Sequence, residues 1–170
     1  GITVMTFPFP SMIVGSFGNP TTSYSNAGGN GDRTASITVS VSGVTWDSGT
    51  DNNLVDGGVG ANSTDSVDEP AAASSATGAY VQFDFGSGAS KFIEEITLEH
   101  SASGTHGDDW MFQGSRDGST FENLRTAVFS WPIGASTAVS LDQPNGTSDQ
   151  PGWRYIRLLG GSASTWGNNW

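Results

Sequence analysis

The sequence predicts an all-β protein, an antiparallel β-sandwich of jelly-roll type carrying an extended N-terminal arm, and three observations lead there. Glycine, serine, threonine and asparagine make up 75 of 170 residues while leucine occurs six times and lysine once; those four favour turns, caps and strands over helix interiors. Hydrophobic residues at 35% and aromatics at 11%, with six tryptophans, supply more apolar surface than a disordered chain carries. The third observation is strict two-residue alternation in separate short runs, the period of a half-buried strand. A chain of this length suits one domain plus an arm.

Taken in order, Gly1 to Gly15 is apolar, with Ile2, Val4, Met5, Phe7, Phe9, Met12, Ile13 and Val14. It has no basic flank and is interrupted by Pro8 and Pro10, so it reads as an extended arm rather than a signal peptide. Asn19 to Asp32 has little to bury and reads as a linker, which divides the chain into an arm and linker at 1–32 and a folded domain at 33–170. Ile37, Val39 and Val41 alternate with Thr38, Ser40 and Ser42, a strand. From Gly43 to Thr77 the alternation lapses into a long acidic loop, with one short helical turn expected where Asp68-Glu69-Pro70 leads into Ala71 to Ala73. Val81, Phe83 and Phe85 form the next strand, closed by a turn at Gly86 to Ser90. Phe92 to His100 reads as a strand with a bulge at Glu94-Glu95. Trp110, Phe112 and Gly114 open another, and Asp117-Gly118 supplies a tight hairpin turn into Thr120 to Leu124. Ala127 to Trp131 and Ala138 to Leu141 are shorter candidates. Trp153 to Leu158 is the last clear strand, and Gly160 to Trp170 shows no alternation.

Charge and composition exclude several function classes. Seventeen acids against six bases give a net charge of −11, and nucleic acid or an anionic membrane would need clustered lysine and arginine. No apolar run approaches the ~18 residues of a membrane span, so membrane insertion is not expected. With no cysteine, disulfides and thiolate zinc sites are excluded.

Five blocks in order carry a family resemblance: Asn53 to Gly57, Tyr80 to Gly86, Ile93 to Leu98, Phe112 to Phe121 and Arg154 to Leu158. Their order and spacing over about residues 35–160 resemble the galactose-binding-like sandwich, the group of coagulation-factor type C (discoidin) domains and family 32 carbohydrate-binding modules. The resemblance implies a non-catalytic glycan-binding or adhesion module. It also implies a structural calcium held by the loop that contains the first block, onto which Asp56, Ser63 and Thr64 map as hard oxygen donors. The pattern departs from the family after Leu158. A final strand with a glutamate is expected there, and Gly160 to Trp170 offers neither, so that strand lies outside the sequence or comes from another segment, such as a neighbouring copy's arm. The Arg157 block itself reads as strand packing, with the arginine stem laid over an aromatic ring.

No catalytic motif appears: there is no His-Glu-x-x-His, no Gly-x-Ser-x-Gly and no phosphate-cradling loop, and Glu94 and Glu95 fall on opposite faces of their strand. No enzyme is therefore expected. A sugar site combines an aromatic face with a few planar polar groups. The best such combination in the sequence joins two loops: Trp46 and Asp47 in one, His106, Asp108, Asp109 and Trp110 in the other. The apolar arm suits docking into other virion proteins, as a homo-oligomer or within a larger assembly, and the low-lysine, Gly/Ser/Thr/Asn-rich style resembles the small sandwiches of phage tail fibres, head spikes and capsid decorations. The expected role is recognition of cell-surface glycans from a virion. A purely structural decoration subunit is the competing reading, and an extracellular or cell-surface location the alternative one.

Overall fold

The computed structural model describes residues 32–43, 49–56, 74–98, 107–131, 137–144, 146 and 152–166. The expected arm and the helical turn at 68–73 lie outside the described residues. Among the described residues nine strands follow in chain order: β1 Thr38–Ser42, β2 Ser74–Ser75, β3 Tyr80–Asp84, β4 Glu95–Leu98, β5 Trp110–Ser115, β6 Glu122–Asn123, β7 Thr137–Ser140, β8 Tyr155–Gly160 and β9 Thr165–Trp166, with one 3-10 turn at Asp51–Leu54. Every pairing is antiparallel. Five strands form the main sheet in the order β1-β3-β8-β5-β6, and β4-β7 and β2-β9 form two-stranded pairs. The protein is an antiparallel β-sandwich, as the composition and alternation require.

Alternation decides which side of the main sheet is dry. Val39 and Val81 stand beside Ile156, Leu158, Phe112 and Trp110 on one face, all buried, and they share one core with Val139 and Leu141 from the β7 side. Ile96 and Leu98 of β4 pack against the same core, which makes β4-β7 the facing layer. Three tryptophans anchor this interior. Trp110 and Trp131 meet edge to face with centroids 5.6 Å apart, the geometry that the ring quadrupole favours.

Trp153 is the third. Its indole N–H donates to the Pro144 carbonyl at 2.7 Å, and the Arg116 guanidinium carbon lies 3.8 Å from the centre of its ring. Beneath it sits Gly114, where a Cβ would fall 2.4 Å from the indole. Glycine is there to admit the ring.

Three expectations are corrected. The tail after Gly160 does contribute a strand, because β9 pairs with β2 through Ser74 to Trp166 and Ser75 to Thr165. Two-residue strands hold no alternation to read; they are fixed by tertiary bonds such as the Ala76 amide donating to the Ser164 carbonyl at 2.9 Å. The segment Ala127 to Trp131 forms only a bridge between Phe129 and Trp110, with Phe129 stacked on Phe112 at 5.4 Å. The strand expected over Thr120 to Leu124 shortens to β6, since the turn before it takes up Ser119 and Thr120.

That turn is held by a single carboxylate. Asp117 Oδ1 accepts from the amides of Ser119 and Thr120, both at 2.8 Å, and from the Ser115 hydroxyl at 3.0 Å, while Gly118 takes a φ of +78°. The Thr120 and Ser119 amides, then the Ser115 hydroxyl, lower the Asp117 pKa from 3.8 to about 2. A depressed carboxylate stabilises the fold fully above its unfolded value near ~3.9 and loses that contribution as pH falls through its folded value. The Asp117 carboxyl resonance should therefore titrate near 2 in the folded protein. A midpoint near 3.8 would show that these bonds do not hold the turn.

Candidate ligand-binding surface

The loop end that the sequence singles out is only partly described: Trp46, Asp47 and His106 lie outside the described residues, as do Ser63 and Thr64. Its described residues are committed to the protein itself. Trp110, expected to offer a stacking face, has no exposed surface at all, because β5 alternation places it beside Phe112 in the core. It cannot stack on a sugar. Asp109 adopts φ +66°, and its Oδ2 accepts from the Ser162 hydroxyl at 3.0 Å and the Ala163 amide at 3.2 Å. The Gly161 amide donates to the Asp109 carbonyl at 3.0 Å, and the Ser164 hydroxyl to the Asp108 carbonyl at 2.7 Å. Asp109 thus braces the 161–164 turn against the start of β5. Asp108 is exposed, with Oδ1 accepting from the Ser130 hydroxyl.

The expected calcium loop contributes Asp56 alone to the described residues. It follows the 3-10 turn and is half-buried, and its Oδ2 accepts from the Asn53 amide at 3.0 Å. Among the described residues no group of three or more His, Cys, Asp or Glu side chains is placed to hold a metal ion. One carboxylate oxygen already bonded to an amide does not by itself make a calcium cradle.

The face of the main sheet turned away from the core is built differently. The strand registers place Ser40 opposite Gln82, Gln82 opposite Arg157, Arg157 opposite Gln113 and Gln113 opposite Asn123. One polar residue from each of five strands therefore stands in a single row across the sheet. The row is wired in one direction: Arg157 Nε donates to Gln113 Oε1 at 2.8 Å, and Gln113 Nε2 donates to Asn123 Oδ1 at 2.7 Å. Each bond fixes the orientation of the next planar group, which leaves the Arg157 terminal nitrogens, the Gln82 amide and the Asn123 amide nitrogen to point elsewhere.

Aromatic rings stand on both sides of this row. The Arg157 guanidinium carbon lies 3.7 Å from the Phe121 ring centre and 5.2 Å from that of Tyr80; in strand order these rings flank β8 from opposite directions. The sequence reading laid the arginine stem over a ring; the contacts found are of the guanidinium itself, with two rings. Desolvation lowers the Arg157 pKa, opposed by Tyr80, yet a guanidinium stays charged at any physiological pH. The next row along the face is closed, because Arg154 grips Asp84 through two bonds of 2.8 Å. This pair and the Gly86 amide lower the Asp84 pKa, the Arg154 hydrogen bond first and burial opposing.

Sequence reading missed the row because Gln82, Gln113, Asn123 and Arg157 are brought together by register, which no single strand reveals. The available signal was that Gln82, Gln113 and Arg157 each occupy an outward position in a strong strand, where serine or threonine would serve as well.

The fold is shared with solved proteins of different activities. The family 32 carbohydrate-binding module of Clostridium perfringens NanJ, in complex with galactose, matches at a TM-score of 0.53 and 13% identity, covering 82% of this chain and 96% of that one. A second module, CBM32-1 from a family 31 glycoside hydrolase of Clostridium perfringens, matches at 0.50 and 14%, covering 82% and 95%. Allantoicase from Saccharomyces cerevisiae matches at 0.54 and 13%, covering 78% of this chain and 39% of that one. No protein-family model matches the sequence, and comparison with curated proteins returns no match. These likenesses show a shared β-sandwich fold, found in binding modules and in an enzyme alike, so function has to be argued from the site.

Proposed function

We propose that this chain is a non-catalytic carbohydrate-binding module that holds a glycan on the outer face of its five-stranded sheet. The observation that carries this reading is the polar row Ser40, Gln82, Arg157, Gln113 and Asn123, set between the rings of Tyr80 and Phe121. Sugars are recognised by planar groups that fix the direction of their hydroxyls and by aromatic rings that meet their C–H faces. Here Arg157, Gln113 and Asn123 are oriented in advance by bonds to one another, which lowers the cost of ordering them on binding. The reading is non-catalytic because the row consists of amides, a hydroxyl and a permanently charged guanidinium, none of which transfers protons near neutral pH.

In this proposal the module sits on a virion, docked to other virion proteins by its apolar arm, and the glycans belong to a host cell surface. The low-lysine, Gly/Ser/Thr/Asn-rich composition and the eight large apolar residues within positions 1–14 support that setting. A second reading, decoration of a particle without a ligand, is favoured by the loop end, where Trp110 is buried and Asp109 is used as a brace.

A glycan array probed with the full chain tests the choice. The expected result is retention on a restricted set of glycans, weakened about tenfold by Gln82→Ala, the loss of roughly one sugar hydrogen bond, and unchanged by Asp108→Ala. No retention on any glycan would leave the decoration reading standing.

A further inference from the structure

The chain has 17 acids for six bases, so an arginine here should find a carboxylate easily. Arg154 pairs with Asp84 at 2.8 Å and Arg116 with Glu122 at 3.3 Å. Arg125 is spent on the carbonyls of Ala127 and Ser140. Of these four, Arg157 has neither a carboxylate nor a backbone carbonyl as a partner among the described residues. It is half-buried, its Nε is committed to the Gln113 side chain, and among the described residues it makes no ion pair. The carboxylate of its own sheet face that lies two positions along β3, Asp84, is occupied by Arg154 and by the Gly86 amide. A partly desolvated cation without a counter-charge is costly to keep.

We infer that the outer row takes an acidic sugar, a glycan whose ring carries a carboxylate, and that the Arg157 guanidinium is the group that receives it. This rests on the glycan reading of the same face. With Nε bonded to Gln113 and two aromatic rings close to the guanidinium carbon, what Arg157 has left is the pair of terminal nitrogens at the end of its fork. That edge matches a planar carboxylate in a two-bond arrangement. Gln82, directly across the register on one side, and Asn123, beyond Gln113 on the other, then meet hydroxyls of the same or a neighbouring sugar. The attraction is local. A chain of charge −11 repels anions at long range, but beyond a Debye length of about 8 Å at physiological salt that field is screened, and the fork acts at contact distance.

The carboxylate could belong to a hexuronic acid or to a nine-carbon sialic acid, and the test separates them. Titration calorimetry of the full chain is run with trigalacturonic acid against its methyl ester, and with 3′-sialyllactose against lactose. The expected result is at least tenfold tighter binding of the acid in one pair or both, the pair naming the sugar. Arg157→Gln should abolish that preference, read as the ratio of acid to uncharged-partner affinity measured on the same variant. Arg157→Lys, which keeps the charge and loses the fork, should lose most of it. Should Arg157→Gln fail to fold, the acid and ester affinities of the unaltered chain decide alone. Equal binding of acid and uncharged partner in both pairs, or a preference that survives Arg157→Gln, overturns the acidic-sugar inference and leaves the glycan reading intact. Absence of binding to all four, together with an empty glycan array, overturns both.

Discussion

Trp153→Ala should destabilise the protein by about 3–5 kcal/mol, the range for removing a fully buried large aromatic, and lower its melting temperature by roughly 6–20 °C for a domain of this size. Trp153 is 1% exposed, and three separate interactions converge on the residue, two of them on its indole. Its backbone bridges to Lys91, with amide-to-carbonyl bonds of 2.7 and 2.8 Å, which alanine can keep. Its N–H holds the Pro144 carbonyl, and its face carries Arg116, and alanine keeps neither. The cavity would open directly above Gly114, which has no side chain to fill it. Urea denaturation followed by far-UV circular dichroism reads the change. A loss under about 1 kcal/mol with an unchanged denaturant slope would show that the ring is not a keystone of the core.

The reverse change at the same contact should also be costly. Gly114→Ala places a methyl group where the Trp153 ring atoms already lie, 2.4 to 2.8 Å away. Overpacking of this kind costs about 1–3 kcal/mol, and here the neighbour is a fully buried indole pinned by its own hydrogen bond, with little room to move. The double variant Gly114→Ala with Trp153→Leu should recover part of the loss, because the smaller side chain vacates the position the methyl needs. Two residues in contact are expected to be non-additive in this way. Strict additivity of the two single losses would mean that the clash does not set the cost.

The parts of this fold that were legible are those in which one strand reports on itself. Val39 and Val41, Val81 and Phe83, and Ile156 and Leu158 alternate with polar neighbours, so each run declares both a strand and its buried face. The Asp117-Gly118 turn was legible for a local reason as well, since an Asx side chain bonds the amides two and three residues on. What was not legible depends on partners. Ser74–Ser75 and Thr165–Trp166 form strands only because each meets the other, and serine and threonine in isolation read as loop.

The candidate site divides along the same line. Trp110 looked like a ligand residue because it follows His106, Asp108 and Asp109, although its spacing of two from Phe112 already places both rings on one side of a strand. Asp109 offered no sign of its bracing role, since the residues it holds, Ser162 and Ala163, lie more than 50 positions away. Arg157 could be read as an arginine stem over a ring. That its other neighbours would be Gln82 and Gln113 depends on how β3 and β5 slide against β8, and a shift of one residue would have turned the whole row into the core.

The most direct measurement of glycan binding by this face is a chemical-shift titration of the isotope-labelled full chain with trigalacturonic acid and, separately, with 3′-sialyllactose, read with whichever of the two binds. Saturable shifts should appear at the side-chain amides of Gln82, Gln113 and Asn123, at the Arg157 Nε–H and at the backbone of Tyr80. Residues 107–109 and 161–164 at the loop end should stay still. Shifts confined to that loop end, with the sheet face unmoved, would contradict the proposal.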